Sequence, residues 1–215
     1  MEITVKINSD KIFELLKGVQ NKAVRKATAK ALNDTGKTLA AQSNRQIRAQ
    51  ITMKAADVRE SLYRKGKASA SMQLNQMAVV VGAKGGDIPL IKYSARQTKR
   101  GVSAKVLKKG KRSTIKGAFI ATMGNGKRGV FMRKSQADAL GWKTPANRKR
   151  APRSGQMPVP DGQKFIWREL PIMQLFSKRV SSAMRDEFST LQPFAQETFD
   201  KRFSYWFAQE MRKLQ

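Results

Sequence analysis

The chain has 215 residues, 44 of them Lys or Arg and 15 Asp or Glu, with a formal net charge of +29 and neither histidine nor cysteine. Without cysteine there are no disulfides or thiolate metal sites. Without histidine the commonest metal ligand and the side chain that titrates near neutrality are missing, so most hydrolytic and metal chemistry loses its usual groups. Like charges at this density repel, and a compact state holding them is more stable beside a polyanion, either nucleic acid or an acidic protein surface.

A hydrophobic content of 40% argues against global disorder and is enough for one core, so we read residues 1–215 as a single domain. No run of about 18 apolar residues is present, and the first residues lack the apolar stretch of a secretory signal, so a protein made and kept in a cytoplasm is expected. The fold class expected is α+β: a long amino-terminal helix, a small antiparallel β-sheet in the middle and carboxy-terminal helices.

Residues 1–65 supply a strand and helices. Ile3, Val5 and Ile7 alternate with Thr4 and Lys6, the period of a half-buried strand, and Ser9 and Asp10 offer caps for a helix. Ile12, Leu15, Leu16, Val19, Ala23, Val24, Ala27, Ala31 and Leu32 then recur at helical spacing, with lysines and arginines between them. The helix should continue through Leu39 to Ile47 with Gly36 as a weak point, and a second, short helix should run from Ala55 to Tyr63. From 68 to 134 the period shortens. Met77–Val81, Ser103–Leu107, Ala118–Met123 and Gly129–Arg133 predict an antiparallel sheet of four or five strands. Residues 135–162 hold four prolines and the Arg148-Lys149-Arg150 cluster, the composition of a long basic loop. In the closing part, 163–215, Phe165, Trp167 and a break at Leu170-Pro171-Ile172 precede a helix carrying Phe176, Val180, Met184, Phe188 and Leu191. Pro193 marks a break or a new first turn, and Phe199, Phe203, Trp206, Phe207 and Met211 repeat the pattern. Acidic residues among the bases of these helices argue against a membrane-surface role.

Few motifs carry chemistry. Gly124-Asn125-Gly126-Lys127-Arg128-Gly129 satisfies the spacing of a dinucleotide fingerprint, but both flanks read as strands, so a hairpin with a two-residue primed turn at Asn125-Gly126 is the better reading. No phosphate-binding loop of the NTPase kind is complete. Asp87, Asp138, Asp161 and Glu169 are too scattered to predict a metal-ion nuclease centre. Asn33-Asp34-Thr35 matches a glycosylation acceptor inside a predicted helix and should be silent. No catalytic residue, cofactor, metal or small-molecule substrate is assigned, although composition does not exclude a lysine nucleophile.

The charge is unevenly placed: Ile88–Pro160 carries 19 basic residues and one acid, Asp138, whereas Asp161–Gln215 carries 9 basic and 7 acidic residues. Between Lys92 and Lys116 the lone aromatic is Tyr93, so the stacking array of a single-strand binder is missing and any DNA contact should be with phosphate. Lys108, Lys109, Lys111, Arg112, Lys127, Arg128, Arg148, Lys149 and Arg150 are the residues expected to meet a polyanion, with DNA and an acidic neighbouring subunit both open.

The order of features is also similar to a known family. Ala31-Leu32-Asn33 in a long basic helix is followed by Gly101-Val102-Ser103-Ala104-Lys105-Val106, Gly117-Ala118-Phe119-Ile120-Ala121, Gly129-Val130-Phe131-Met132-Arg133 and Leu170-Pro171-Ile172. Across Lys22 to Arg212 this resembles the minor tail protein Z family of tailed bacteriophages and prophages, which belongs with the tail completion proteins of the neck. Family members often follow the Leu-Pro-Ile element with Gly-Pro, where this chain has Phe176-Ser177-Lys178. The resemblance implies a structural virion protein at the head-proximal end of the tail that helps join tail to head and place the genome end, and an α+β subunit acting in a ring, hexameric by preference. It implies contacts with the tail terminator or tail tube and with head-completion proteins, host cytoplasm during assembly, and no membrane. The alternative, from charge alone, is a free-standing, sequence-nonspecific nucleic-acid-binding protein with strongly salt-dependent affinity.

Overall fold

The computed structural model describes residues 2–6, 21–124, 126–140 and 172–213. The expected caps at Ser9 and Asp10, the beginning of the first helix before Asn21, the loop from 141 onward and the aromatics Trp142, Phe165 and Trp167 lie outside these residues.

Helix α1, Asn21–Gln50, runs unbroken for 30 residues. Its inner face buries Ala23, Val24, Ala27, Ala31, Leu32, Leu39 and Ile47, the three- and four-residue spacing read from the sequence. Thr28, Thr35 and Ser43 are buried among them. The acceptor triplet of the glycosylation motif is thus locked in the fold, with Thr35 wholly buried and Asn33 Nδ2 donating to the Ala68 carbonyl oxygen at 2.9 Å. Gly36 does not interrupt the helix. A Cβ at this position would lie 2.5 Å from Val79 Cγ1, so glycine lets α1 close onto the sheet; that close packing offsets the roughly 1 kcal/mol that glycine costs a helix relative to alanine.

Packed along α1 is the last helix, labelled α5 below, Phe188–Arg212. Leu191, Ala195 and Phe199 are buried at four-residue spacing, and Phe203, Trp206 and Phe207 continue the stripe, half-buried against the same core. Phe199, Phe203 and Phe207 stack successively, with ring centroids 6.0 and 5.8 Å apart. The small side chains of α1 leave room for these rings.

A polar clasp closes the seam. Lys30 Nζ sits 2.6 Å from Glu210 Oε1 and 4.7 Å from the Trp206 ring centroid, while Trp206 Nε1 donates to Asp34 Oδ2 at 3.0 Å. Glu210 is 5% exposed, and the hydrogen bond from Lys30 holds its carboxyl below the ordinary carboxylate value, against the opposing effect of burial. A depressed folded-state value means that the stabilisation is present above the unfolded value of about 4.5 and is lost as pH falls through the folded one. Glu210→Gln should therefore cost on the order of 1 kcal/mol at pH 7, a modest figure because Lys30 is 41% exposed and partly screened. Denaturant titrations from pH 7 to pH 3 should show the two proteins converging at acid pH; a constant difference would contradict the clasp.

The rest of the described chain is built from short helices and short antiparallel strands: β1 (Glu2–Lys6), β2 (Leu62–Lys65), β3 (Ala78–Ala83), β4 (Ile88–Pro89), β5 (Arg96–Thr98), β6 (Gly101–Ala104), β7 (Ser113–Lys116), β8 (Phe119–Thr122), β9 (Arg128–Arg133), β10 (Ile172–Gln174) and β11 (Phe176–Ser177). They pair as β1–β3–β2, β5–β6–β7, β10–β9–β8 and β11–β4. The four strands predicted from the sequence therefore exist, but they are distributed among separate small sheets instead of forming one. β3 and β9 are buried through their length on at least alternate residues and serve as the centres of two of these sheets. One connected core links both long helices, strands β3, β4, β6 and β9 and the short helices α2 (Ala55–Ser61), α3 (Lys134–Ala139) and α4 (Val180–Asp186).

Several boundaries differ from the sequence reading. The second helix ends at Ser61 because Leu62 and Tyr63 pair with Ala83 and Gly82 of β3. Residues 134–139 form α3, so any irregular loop begins after Leu140 and not at Ser135. Ile172–Gln174 is a strand, drawn against Arg133, Met132 and Phe131 of β9, and Phe176 is a strand residue, 48% exposed, instead of the first face residue of a helix. The helical break falls at Glu187, between α4 and α5, while Pro193 lies inside α5 in its second turn, where the ladder lacks the one backbone donor that would reach the Ser189 carbonyl. At the β8–β9 hairpin, Met123 N donates to Lys127 O at 3.0 Å and Gly126 N to Met123 O at 2.8 Å, leaving three connecting residues where a two-residue turn was expected.

Candidate polyanion interface

The predicted basic residues fall into separate groups. Lys108, Lys109, Lys111 and Arg112 share the β6–β7 connection and are exposed. This loop is docked at the end of α1: Lys108 N donates to the Gln50 carbonyl oxygen at 2.8 Å, Thr52 N donates to Val106 O at 2.8 Å, and Ile51 bridges Leu107. The loop thereby satisfies a carbonyl that the helix terminus would leave open, and it sets cations beside the negative end of the helix dipole. Arg112 has a structural share, since its Nη1 donates to the carbonyl oxygens of Ser94 and Ser103 at 2.9 and 3.1 Å. Lys127 and Arg128 are exposed on the β8–β9 hairpin. Arg148, Lys149 and Arg150 lie outside the described residues.

Tyr93 is no base-stacking platform. It is wholly buried, its hydroxyl donates to the Lys178 carbonyl oxygen, and burial pushes its pKa up to about 12. Among the described residues no group of three or more Asp and Glu is placed to hold a metal ion. Of the carboxylates weighed above, Asp87 pairs with Arg179 Nε at 2.7 Å, and Asp161 and Glu169 are outside the described residues. No described helix is long and apolar enough to cross a membrane.

A second basic surface was not anticipated. A cleft of about 550 Å³ opens between α1, α2 and β2, and its lining includes Lys37, Arg45, Arg48, Arg59 and Arg64 but no carboxylate. Asn44 Nδ2 donates to the Ala55 carbonyl oxygen at 3.1 Å and fixes the start of α2 against α1. The acids of α2 face elsewhere: Asp57 and Glu60 lie 3.0 and 3.2 Å from Lys92 Nζ, and the hydrogen bond that Lys92 donates to Asp57 leads the effects that hold Lys92 above its ordinary pKa. Arg59 is left on the cleft side without an acid of its own helix to neutralise it. The sequence signal was faint because these cations span three elements in a stretch that reads as the polar face of ordinary helices.

The family model of prophage minor tail protein Z matches residues 8–157, well over half of the chain. This chain belongs to the prophage minor tail protein Z family. The matched span takes in α1, the cleft, the strands from β2 to β9, and α3, whereas β10, β11, α4 and α5 lie beyond it. No curated protein and no solved structure shows a match to the chain. As a minor tail protein Z family member, the protein is a structural component of a phage tail and therefore of the virion. Both basic surfaces, the 105–112 loop and the α1–α2–β2 cleft, lie within the family match.

Proposed function

We propose that this minor tail protein Z family member is a tail completion protein: it sits at the head-proximal end of the tail, joins tail to head, and helps hold the genome end through contacts with DNA phosphates. The observation that carries the reading is the family match over residues 8–157, together with a charge of +29 whose strongest run, 19 bases to one acid, lies largely within that match. In this reading the subunit acts in a homo-oligomeric ring, hexameric by preference; a ring of copies each carrying +29 adds like-charge repulsion, so the counter-charge that stabilises it comes from DNA or from acidic neighbouring tail and head proteins. Non-specific phosphate contact needs cations on exposed backbone without base readers, and Lys108, Lys109, Lys111, Lys127 and Arg128 are exposed in that way.

Deleting the gene should yield complete heads and complete tails that join poorly or give non-infectious particles, with infectivity restored by the gene in trans. Normal titres from the deletion would overturn the proposal. If infectivity is normal while the purified protein binds duplex DNA with steep salt dependence, the free-standing nucleic-acid-binding reading replaces it.

A further inference from the structure

We infer that the cleft between α1, α2 and β2 is a seat for the sugar–phosphate backbone of double-stranded DNA, with Arg45, Arg48, Arg59, Arg64 and Lys37 as its phosphate contacts. This inference rests on the DNA-contact part of the function proposed above and moves its main site away from the lysine loop.

Three observations carry it. First, five cations converge on one concavity whose lining has no carboxylate, and the side chains of Arg45, Arg59 and Arg64 form no ion pair among the described residues. Lys37 alone is partly neutralised, by Asp34 at 3.4 Å. Arg48 is half-buried, with its Nε inside the fold, and it adds its charge to the cleft lining. Four of the five are arginines, whose planar fork matches a phosphate with two parallel hydrogen bonds where a lysine gives a point charge.

Second, the spacing suits an extended polyanion. Lys37, Arg45 and Arg48 lie along one straight helix, and at about 1.5 Å per residue they cover about 16 Å, the axial rise of roughly five phosphates of one DNA strand. Third, the cleft lacks what a protein partner would use. Its uncharged lining is Ala40, Ala41, Asn44, Ala55, Leu62 and Tyr63, and the exposed large hydrophobic side chains among the described residues, Leu107, Leu140, Phe176 and Tyr205, all lie outside it. An acidic protein segment would meet charge there but no apolar anchor pocket. Base reading is excluded too: Tyr63, the aromatic in the lining, donates its hydroxyl to Glu2 Oε1 at 2.5 Å and lies beneath Lys65, 5.1 Å from the ring centroid. Two carboxylates stand at the margin of the cleft, Asp34 beside Lys37 and Glu2, which Tyr63 and Lys65 hold.

The test compares three full-length proteins by fluorescence anisotropy on a short blunt duplex over a salt series: the parent, Arg45→Gln/Arg59→Gln/Arg64→Gln, and Lys108→Gln/Lys109→Gln/Lys111→Gln. Arg48 is left intact because its Nε is buried, and unchanged circular dichroism and melting midpoint establish that each variant is folded. The cleft variant should bind at least tenfold more weakly, and its plot of log K against log salt should flatten by roughly 2.7, about 0.9 for each cation lost. If it binds like the parent while the loop variant flattens, the cleft inference fails and the functional reading stands. If the parent does not bind duplex at all, the DNA part of both fails. If the cleft variant loses binding to poly-glutamate but keeps duplex binding, the occupant is acidic protein and the inference is overturned.

Discussion

Gly101→Ala is expected to destabilise the protein by about 3 kcal/mol or more. Gly101 opens β6 with φ +143°, a conformation that side-chain-bearing residues rarely adopt, and a Cβ would lie 2.0 Å from the Ile115 carbonyl oxygen. The obstructing atom is backbone in the paired strand β7, so no rotamer change relieves it. Strain at such a position costs about 1–3 kcal/mol, and separating β6 from β7 adds the loss of ladder bonds between Gly101 and Lys116 and along the register to Ser113. The β6–β7 connection is also the loop docked on the end of α1, so the same substitution should loosen Lys108, Lys109 and Lys111. Urea denaturation gives the stability loss, and hydrogen exchange should show lost protection at Thr52 and Lys108, whose amides donate across that contact. A stability change below about 1 kcal/mol with protection intact would contradict this account of β6.

Phe199→Ala should cost about 3–5 kcal/mol, whereas Tyr205→Ala on the same helix should stay within about 0.5 kcal/mol. Phe199 is 3% exposed, in the shared core between α5 and α1, and its ring stacks on Phe203; Tyr205 is 53% exposed. Truncation at 199 removes a large buried apolar surface and leaves a cavity beside the alanine seam of α1, where the surrounding side chains are too small to swing in and fill it. Near-equal melting shifts for the two variants would mean that α5 does not pack through this face.

These contrasts also mark what could be read from residues alone. The long helices are legible because Val24, Ala27, Ala31 and Leu32, and then Phe199, Phe203, Trp206 and Phe207, keep helical spacing; Pro193 hides the continuity of the last helix from Leu191 to Phe199. Strands β2, β10 and β11 are not legible, because runs of two to four residues carry little period of their own. Leu62, Tyr63 and Phe176 become strand residues through their pairing with β3 and β4, a tertiary effect. The β8–β9 hairpin was visible in the apolar runs that flank Gly124 and Gly126, although its connection is three residues long. Counting charge drew attention to the lysine-rich loop, where bases are adjacent in sequence. It passed over the cleft, where Arg45, Arg59 and Arg64 meet only because α2 and β2 fold back along α1 and because Lys92 draws Asp57 and Glu60 to the opposite side.

The most direct test of the proposed neck role is cryo-electron microscopy of the head–tail junction in purified virions, with the chain fitted as a rigid body. The account predicts a closed ring of this subunit at the head-proximal end of the tail, with the α1–α2–β2 cleft turned toward the DNA. Density for the subunit elsewhere in the tail, or its absence from a complete and infectious neck, would contradict it.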